Sequence, residues 1–152
     1  MHEIAGPILL VEDGDEAELT RWAFARCGVP NRMVLARDGV EALELLLPED
    51  GSQALEPAVV LMDINMPRMN GLEALRMLRA DPRTRSLPVV MLSNSAAERD
   101  IVESSASGAN SYVQKPINGD DLLEVARQVC SYWLGLHRRA VDIRGATQVS
   151  HP

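Results

Sequence analysis

Short unbroken apolar runs alternate along the chain with stretches in which apolar residues return at helical spacing. The first run, Ile8-Leu9-Leu10-Val11, stops abruptly at Glu12-Asp13-Gly14-Asp15. A run without polar alternation marks a strand covered on both faces, as in a parallel sheet. Asp15 is then expected to cap a helix whose buried side carries Leu19, Trp22 and Ala23, with Gly28 and Pro30 halting it. Met33-Val34-Leu35-Ala36 is the second predicted strand. Asp38 and Glu41 stand at capping-box spacing, ahead of a helix buried through Val40, Leu43, Leu46 and Leu47.

Residues 48–57 form a polar connection longer than most that join a helix to a strand. Ala58-Val59-Val60-Leu61-Met62 is the third strand, with Asp63 at its end. Beyond a loop holding Pro67 and Gly71, a third helix carries Leu72, Leu75, Met77 and Leu78 and closes at Asp81-Pro82. Pro88-Val89-Val90-Met91-Leu92 is the fourth strand and runs into Ser93-Asn94-Ser95. The stretch from Glu98 to Ser107 is the weakest helix, because it is rich in serine. Ser111-Tyr112-Val113 is a short fifth strand, and Lys115-Pro116 leads into a long helix from Asn118 to Leu136. One domain over residues 1–136 is expected, with residues 137–152 as a mobile tail, since no apolar period continues there.

Strands alternating with helices imply right-handed βαβ units. The predicted fold is α/β, a five-stranded parallel sheet with helices on both faces, doubly wound and flavodoxin-like. In such sheets the site lies beyond the carboxyl ends of the strands. That rule selects Glu12 and Asp13, Asp63, Ser93 and Lys115.

Composition narrows the partners. The 152 residues are 46% hydrophobic, 24% charged and only 3% aromatic, which suits an aliphatic α/β core better than a β-sandwich. A net charge of −7 repels nucleic acid, so a protein or a small ion is the expected partner. Cys27 and Cys130 lie far apart in sequence with no companion histidines, which argues against a disulfide framework or a zinc site. No signal segment and no apolar run of ~18 residues is present, so a cytoplasmic protein without a membrane span is expected.

Carboxylates crowded on one rim repel one another and persist when a cation sits among them. Mg²⁺ suits such a rim, because it prefers oxygen ligands and keeps several waters. Lys115 adds a compact positive charge. A metal and an ammonium converging on an exposed aspartate stabilise a phosphoryl group in transfer, with Asp63 as nucleophile and the Ser93 hydroxyl donating to a phosphoryl oxygen. Each residue alone has a bland reading as a turn, a cap or a surface group; their placement after separate strands favours the joint one.

Several segments carry a more specific likeness: Leu9-Leu10-Val11-Glu12-Asp13, Asp38-Gly39-Val40-Glu41-Ala42-Leu43, Met62-Asp63-Ile64-Asn65-Met66-Pro67-Arg68-Met69-Asn70-Gly71, Pro88 through Ser93, and Gly108 through Pro116. From about Ile8 to Leu134 the chain resembles the receiver domain of two-component response regulators, of the stand-alone kind similar to those paired with bacterial phytochromes. The resemblance implies phosphotransfer from a sensor histidine kinase to Asp63. It implies Mg²⁺ held by Glu12 through water, by Asp13, by Asp63 and by the carbonyl of Asn65. Lys115 and Ser93 would contact the phosphoryl group, and Tyr112 would change rotamer with Ser93. Asn94 stands where receivers usually have a small residue, and Asn70 where many have Asp.

An aspartate-nucleophile phosphatase is the competing enzyme reading. Such enzymes carry a second aspartate two positions on, and here that position is Asn65, whose amide cannot act as a general acid. An adaptor that is never phosphorylated is the other alternative, opposed by the intact set of acids, acceptor, hydroxyl and lysine. A signalling protein rather than an enzyme is therefore expected. On a wheel of ~100° per residue, the last helix turns Leu122, Ala126, Val129, Trp133 and Leu136 to the sheet. Val125 and Tyr132 flank one side, and Leu123, Cys130 and Leu134 the other. One sheet cannot cover so wide an arc, which predicts a homodimer through the face of the fourth helix, fifth strand and fifth helix.

Overall fold

The computed structural model describes residues 6–94, 98–116 and 118–136; of residues 15, 98, 135 and 136 only the backbone is described. Strands β1 (Ile8–Val11), β2 (Met33–Ala36), β3 (Val59–Asp63), β4 (Val89–Ser93) and β5 (Ser111–Gln114) form one parallel sheet in the order β2-β1-β3-β4-β5. Helices α1 (Gly14–Ala25), α2 (Gly39–Leu46), α3 (Gly71–Ala80), α4 (Glu98–Ala106) and α5 (Gly119–Cys130) alternate with the strands. The predicted five-stranded α/β architecture is the one observed.

Alternate residues of each strand feed two cores. Ile8, Leu10, Val59, Leu61, Val90 and Leu92 pack with Ala17, Ala23 and Phe24 of α1 and Leu122, Ala126 and Val129 of α5. Leu9, Val11, Val60, Met62, Val89 and Met91 face the other way, onto Ala42 and Leu46 of α2 and Leu72, Leu75 and Leu78 of α3. Every residue of β1, β3 and β4 is buried, which explains why these runs show no polar alternation. Register aligns the strand ends: Val11 lies beside Met62, Asp63 beside Leu92, and Ser93 beside Gln114. Glu12, Asp63, Ser93 and Lys115 therefore emerge along one edge.

Two helices depart from expectation. Asp13, not Asp15, occupies the N-cap of α1, and Gly14 takes φ 60° so that the chain turns into the helix at once. The buried face of α1 is Ala17, Thr20, Ala23 and Phe24, whereas Leu19 and Trp22 are 40% and 37% exposed. Small residues let α1 lie close against α5, and the Thr20 hydroxyl satisfies itself on the Glu16 carbonyl at 3.0 Å. A wheel weighted by side-chain hydrophobicity misses that device.

The last helix continues to Leu136, but its final six residues, Ser131–Leu136, form a wider π-type turn. Cys130 and Leu134, assigned by the wheel to a flank open for a partner, are 3% and 7% exposed inside the chain's own core. The wheel counted only the sheet as cover, while α1 closes over that flank, and the wider turn shifts the phase beyond Ser131. Cys27 packs against the same core; both cysteines are free thiols, and burial together with the Cys27 neighbour pushes the Cys130 thiol up. The predicted tail, residues 137–152, lies outside the described residues.

Burial of Leu134 has a measurable consequence. Leu134→Ala should lower stability by about 2–4 kcal/mol, read as a reduced urea midpoint. Leu134→Glu should unfold the chain; a well-folded Leu134→Glu protein would contradict this packing.

Candidate functional site

Glu12 extends β1 by one residue, its N–H donating to the Ala36 carbonyl at 3.0 Å. Its side chain is wholly buried. Lys115 extends β5 in the same way, its N–H donating to the Ser93 carbonyl at 2.7 Å. In the sheet order β3 and β4 separate these two strands, so the Lys115 side chain crosses both strand ends to reach Glu12 Oε2. It pairs also with Glu16 Oε1 at 2.5 Å. Lys115 is the only lysine of the chain, and arginine supplies its other strong cations. Guanidinium is a broad planar fork; a compact ammonium fits between two carboxylates where that fork does not. Burial lowers the Lys115 pKa to about 8, which leaves the side chain charged at neutral pH.

Asp63 ends β3, 8% exposed. Its Oδ1 accepts from the Asn65 N–H at 3.4 Å. Burial raises its pKa to about 6 against the backbone N–H of Asn65, and the charges of Glu16 and Asp13 push the same way as burial. The described ion pairs of Lys115 are with Glu12 and Glu16, so Asp63 carries its charge at neutral pH beside anions.

The loop after Asp63 is pinned from both ends. A Cβ on Gly71 would lie 2.1 Å from the Asp63 carbonyl oxygen, so only glycine permits this close return. Asn70 caps α3, accepting from the Glu73 N–H at 2.9 Å while Glu73 accepts from the Asn70 N–H at 3.2 Å. The amide therefore does here the capping work that an aspartate would do. Arg68, with φ 66°, donates from Nε to Asp38 Oδ2 at 2.7 Å, tying this loop to the start of α2.

Of the residues expected from sequence, Glu12, Asp63, Ser93 and Lys115 meet at one edge, with Ser93 fully buried at the end of β4. Tyr112 is half-buried on β5 and packs on the α3 side of the sheet. Asn65 and Asp13 are exposed at the rim. Among the described residues, the carboxylates whose oxygens lie within 4.8 Å of one another are Glu12, Glu16 and Asp63. Asp13 stands outside that trio and bears on Asp63 through its charge. Sequence reasoning does not select Glu16; the only signal for it is that the first turn of α1 follows β1 directly. Glu12 Oε1 is buried without a hydrogen-bond partner. An orphaned acceptor among hard oxygen donors fits a small divalent cation.

Residues 8–127 match the family model of the response regulator receiver domain. The chain belongs to that family, whose receiver domains generally serve signalling. It is 36% identical over 132 residues to the probable methanogenesis regulatory protein FilR2 of Methanothrix harundinacea, covering 86% of this chain and 85% of that protein. It is 30% identical over 129 residues to response regulator Rcp1 of Synechocystis, covering 84% of this chain and 88% of Rcp1. The Mn²⁺-bound structure of Rcp1 superposes with a TM-score of 0.76 at 27% identity, over 97% of this chain and 99% of Rcp1. The phosphorylated cyanobacterial phytochrome response regulator RcpA gives a TM-score of 0.75 at 32% identity, over 84% of this chain and 93% of RcpA. The chain is thus a response regulator receiver related to phytochrome response regulators. Among the described residues no helix is long and apolar enough to cross a membrane.

The raised Asp63 pKa makes a signed prediction for metal-free protein. The fold holds the Asp63 proton more tightly than the unfolded chain, so this contribution is full below pH ~4 and lost as pH rises through about 6. In chelator, Asp63→Asn should stabilise the protein by about 1–2 kcal/mol at pH 7.5, a value reduced for partial solvent screening, and by nothing at pH 4. Urea midpoints at both pH values decide it; an equal effect at pH 4 would mean that charge is not the cause.

Proposed function

We propose that this receiver accepts a phosphoryl group on Asp63 from a sensor histidine kinase, with a divalent cation, Mg²⁺ in the cell, and signals in the cytoplasm by protein contact. The observation that supports the reading is the edge at which Glu12, held by the buried Lys115, and Glu16 bring carboxylate oxygens within 4.8 Å of that of Asp63 at the end of β3. Asp63 attacks phosphorus as the P–N bond of a phosphohistidine breaks, and the released imidazole takes up a proton. With its pKa at about 6, Asp63 is mostly ionised at pH 7 and so competent as a nucleophile. Lys115 and the Ser93 hydroxyl supply donors to the phosphoryl oxygens.

Glu12, Asp63 and the Asn65 carbonyl would hold the cation, with Asp13 at the exposed side. When bound, the cation offsets the negative charge that develops on the transferring group. The Mn²⁺-bound form of Rcp1 supports a divalent ion at such a site. Likeness to RcpA, a cyanobacterial phytochrome response regulator, supports a bacterial phytochrome as the cognate kinase; likeness to FilR2 shows that similar receivers serve other signals.

Output would run through α4, β5 and α5. Ser93 and Lys115 share a backbone hydrogen bond, so a shift of the hydroxyl toward phosphate is felt at the start of the β5–α5 connection, with Tyr112 following on β5. Ile101 and Val102 are 42% and 57% exposed on α4, and Val113, Val125 and Tyr132 are half-buried beside them in the sequence of elements. These residues, not Cys130 and Leu134, would carry the expected homodimer contact.

Incubation with acetyl phosphate and Mg²⁺ should add one phosphoryl group, located on Asp63 by mass spectrometry, and Asp63→Asn should take up none. Millimolar Mg²⁺ alone should raise the melting temperature by binding only the native state. Uptake by Asp63→Asn at the wild-type rate would refute the assignment. Light scattering with and without phosphodonor tests the dimer, and a monomer mass in both states rejects it.

A further inference from the structure

Glu16, on the first turn of α1, touches two parts of the site at once. Its Oε1 lies 2.5 Å from Lys115 Nζ, and its Oε2 accepts a hydrogen bond of 3.2 Å from Asn94 Nδ2. Asn94 directly follows Ser93 at the end of β4. One side chain therefore spans the opening of the site, from α1 to the ends of β4 and β5. Its oxygens share a space of 4.8 Å with those of Glu12 and Asp63.

The two carboxylates on Lys115 are not equivalent. Glu12 is wholly buried, and parting it from the ammonium would leave an unpaired charge in the interior. The Glu16 side chain is 50% exposed, so water can replace its partner at little cost. A phosphoryl group on Asp63 would bring anionic oxygens toward the Glu16 carboxylate, which lies within 4.8 Å of that of Asp63. It competes for the same ammonium and repels the same carboxylate. Glu16 is the group that yields, and when it does Asn94 loses its partner beside Ser93.

Resting on the reading that Lys115 contacts a phosphoryl group on Asp63, we propose that Glu16 is a positioning residue that latches Lys115 and Asn94 in the unphosphorylated protein and must be displaced for the phosphoryl group to enter. In the resting state it acts as an internal stand-in for the incoming anion. Its release links phosphorylation to the β4–α4 junction through Asn94, alongside the movement of Ser93.

The test is a double-mutant cycle on the full chain, with uptake from acetyl phosphate and Mg²⁺ as the rate. Glu16→Ala should quicken uptake about two- to tenfold. Asn94→Ala leaves the carboxylate charge in place, so it separates the latch from simple charge removal: it should quicken uptake in the wild-type background and change nothing with Glu16→Ala. Equal effects of Asn94→Ala in both backgrounds would overturn the latch. So would slower uptake by Glu16→Ala with weaker thermal stabilisation by Mg²⁺, which would make Glu16 a metal ligand. Because Lys115 is the only lysine, ¹³C-lysine labelling gives one ε-methylene signal, read without any phosphodonor. That signal should shift on Glu16→Ala. An unmoved signal with normal wild-type uptake overturns the latch alone, whereas a shifted signal with no uptake by any form overturns the functional reading beneath it.

Discussion

One buried ammonium balances the carboxyl edge of the sheet. Lys115 lies at the end of β5 and Glu12 at the end of β1, with β3 and β4 between them, so their pairing exists only when all four strands are in register. Breaking such a pair exposes the fold to a lone interior charge, a cost of about 3–5 kcal/mol in comparable cases. The pair ties the integrity of the site to the integrity of the sheet. It also bears on the local chemistry: burial raises the Asp63 pKa to about 6, and with Lys115 engaged by Glu12 and Glu16 the charges of Glu16 and Asp13 push the same way.

Such an edge is tolerable because the rest of the chain is built to be rigid and apolar. The two cores cover both faces of the sheet, and their buried strand residues are aliphatic or methionine. Within the sheet, charge is confined to a strand end, and the loops beyond it are anchored by specific devices. Gly71 brings the loop after Asp63 back against the strand, and Arg68 fastens it to Asp38, whose carboxyl the Arg68 hydrogen bond holds below the usual range. These contacts hold the carboxylates close despite their repulsion, which is the electrostatic preorganisation that the proposed phosphoryl transfer would use.

The same crowding accounts for the role given to Glu16. On the proposed reading the site would gain and lose a phosphoryl group, and an internal anion that can leave suits such a cycle. Glu12 cannot leave, because it is buried; Glu16 can, because half of its side chain already meets water. Its second contact, on Asn94, reaches the residue that directly follows the buried Ser93 at the end of β4.

What the sequence determined by itself was local. Unbroken apolar runs announced the strands, the Asp38 and Glu41 spacing announced α2, and the rule for strand ends singled out Glu12, Asp63, Ser93 and Lys115 with no coordinates, because each depends only on neighbours a few residues away. Tertiary structure decided the matters that depend on distances between remote segments. It chose Ala17 and Thr20 over Leu19 and Trp22 as the buried face of α1, since close approach to α5 rewards small side chains. It drew Cys130 and Leu134 inside, since α1 covers the flank that a single wheel left bare. Above all it paired Lys115 with Glu12 and Glu16, a choice set by which charges the folded edge brings within a few ångströms, and no periodicity along the chain encodes that.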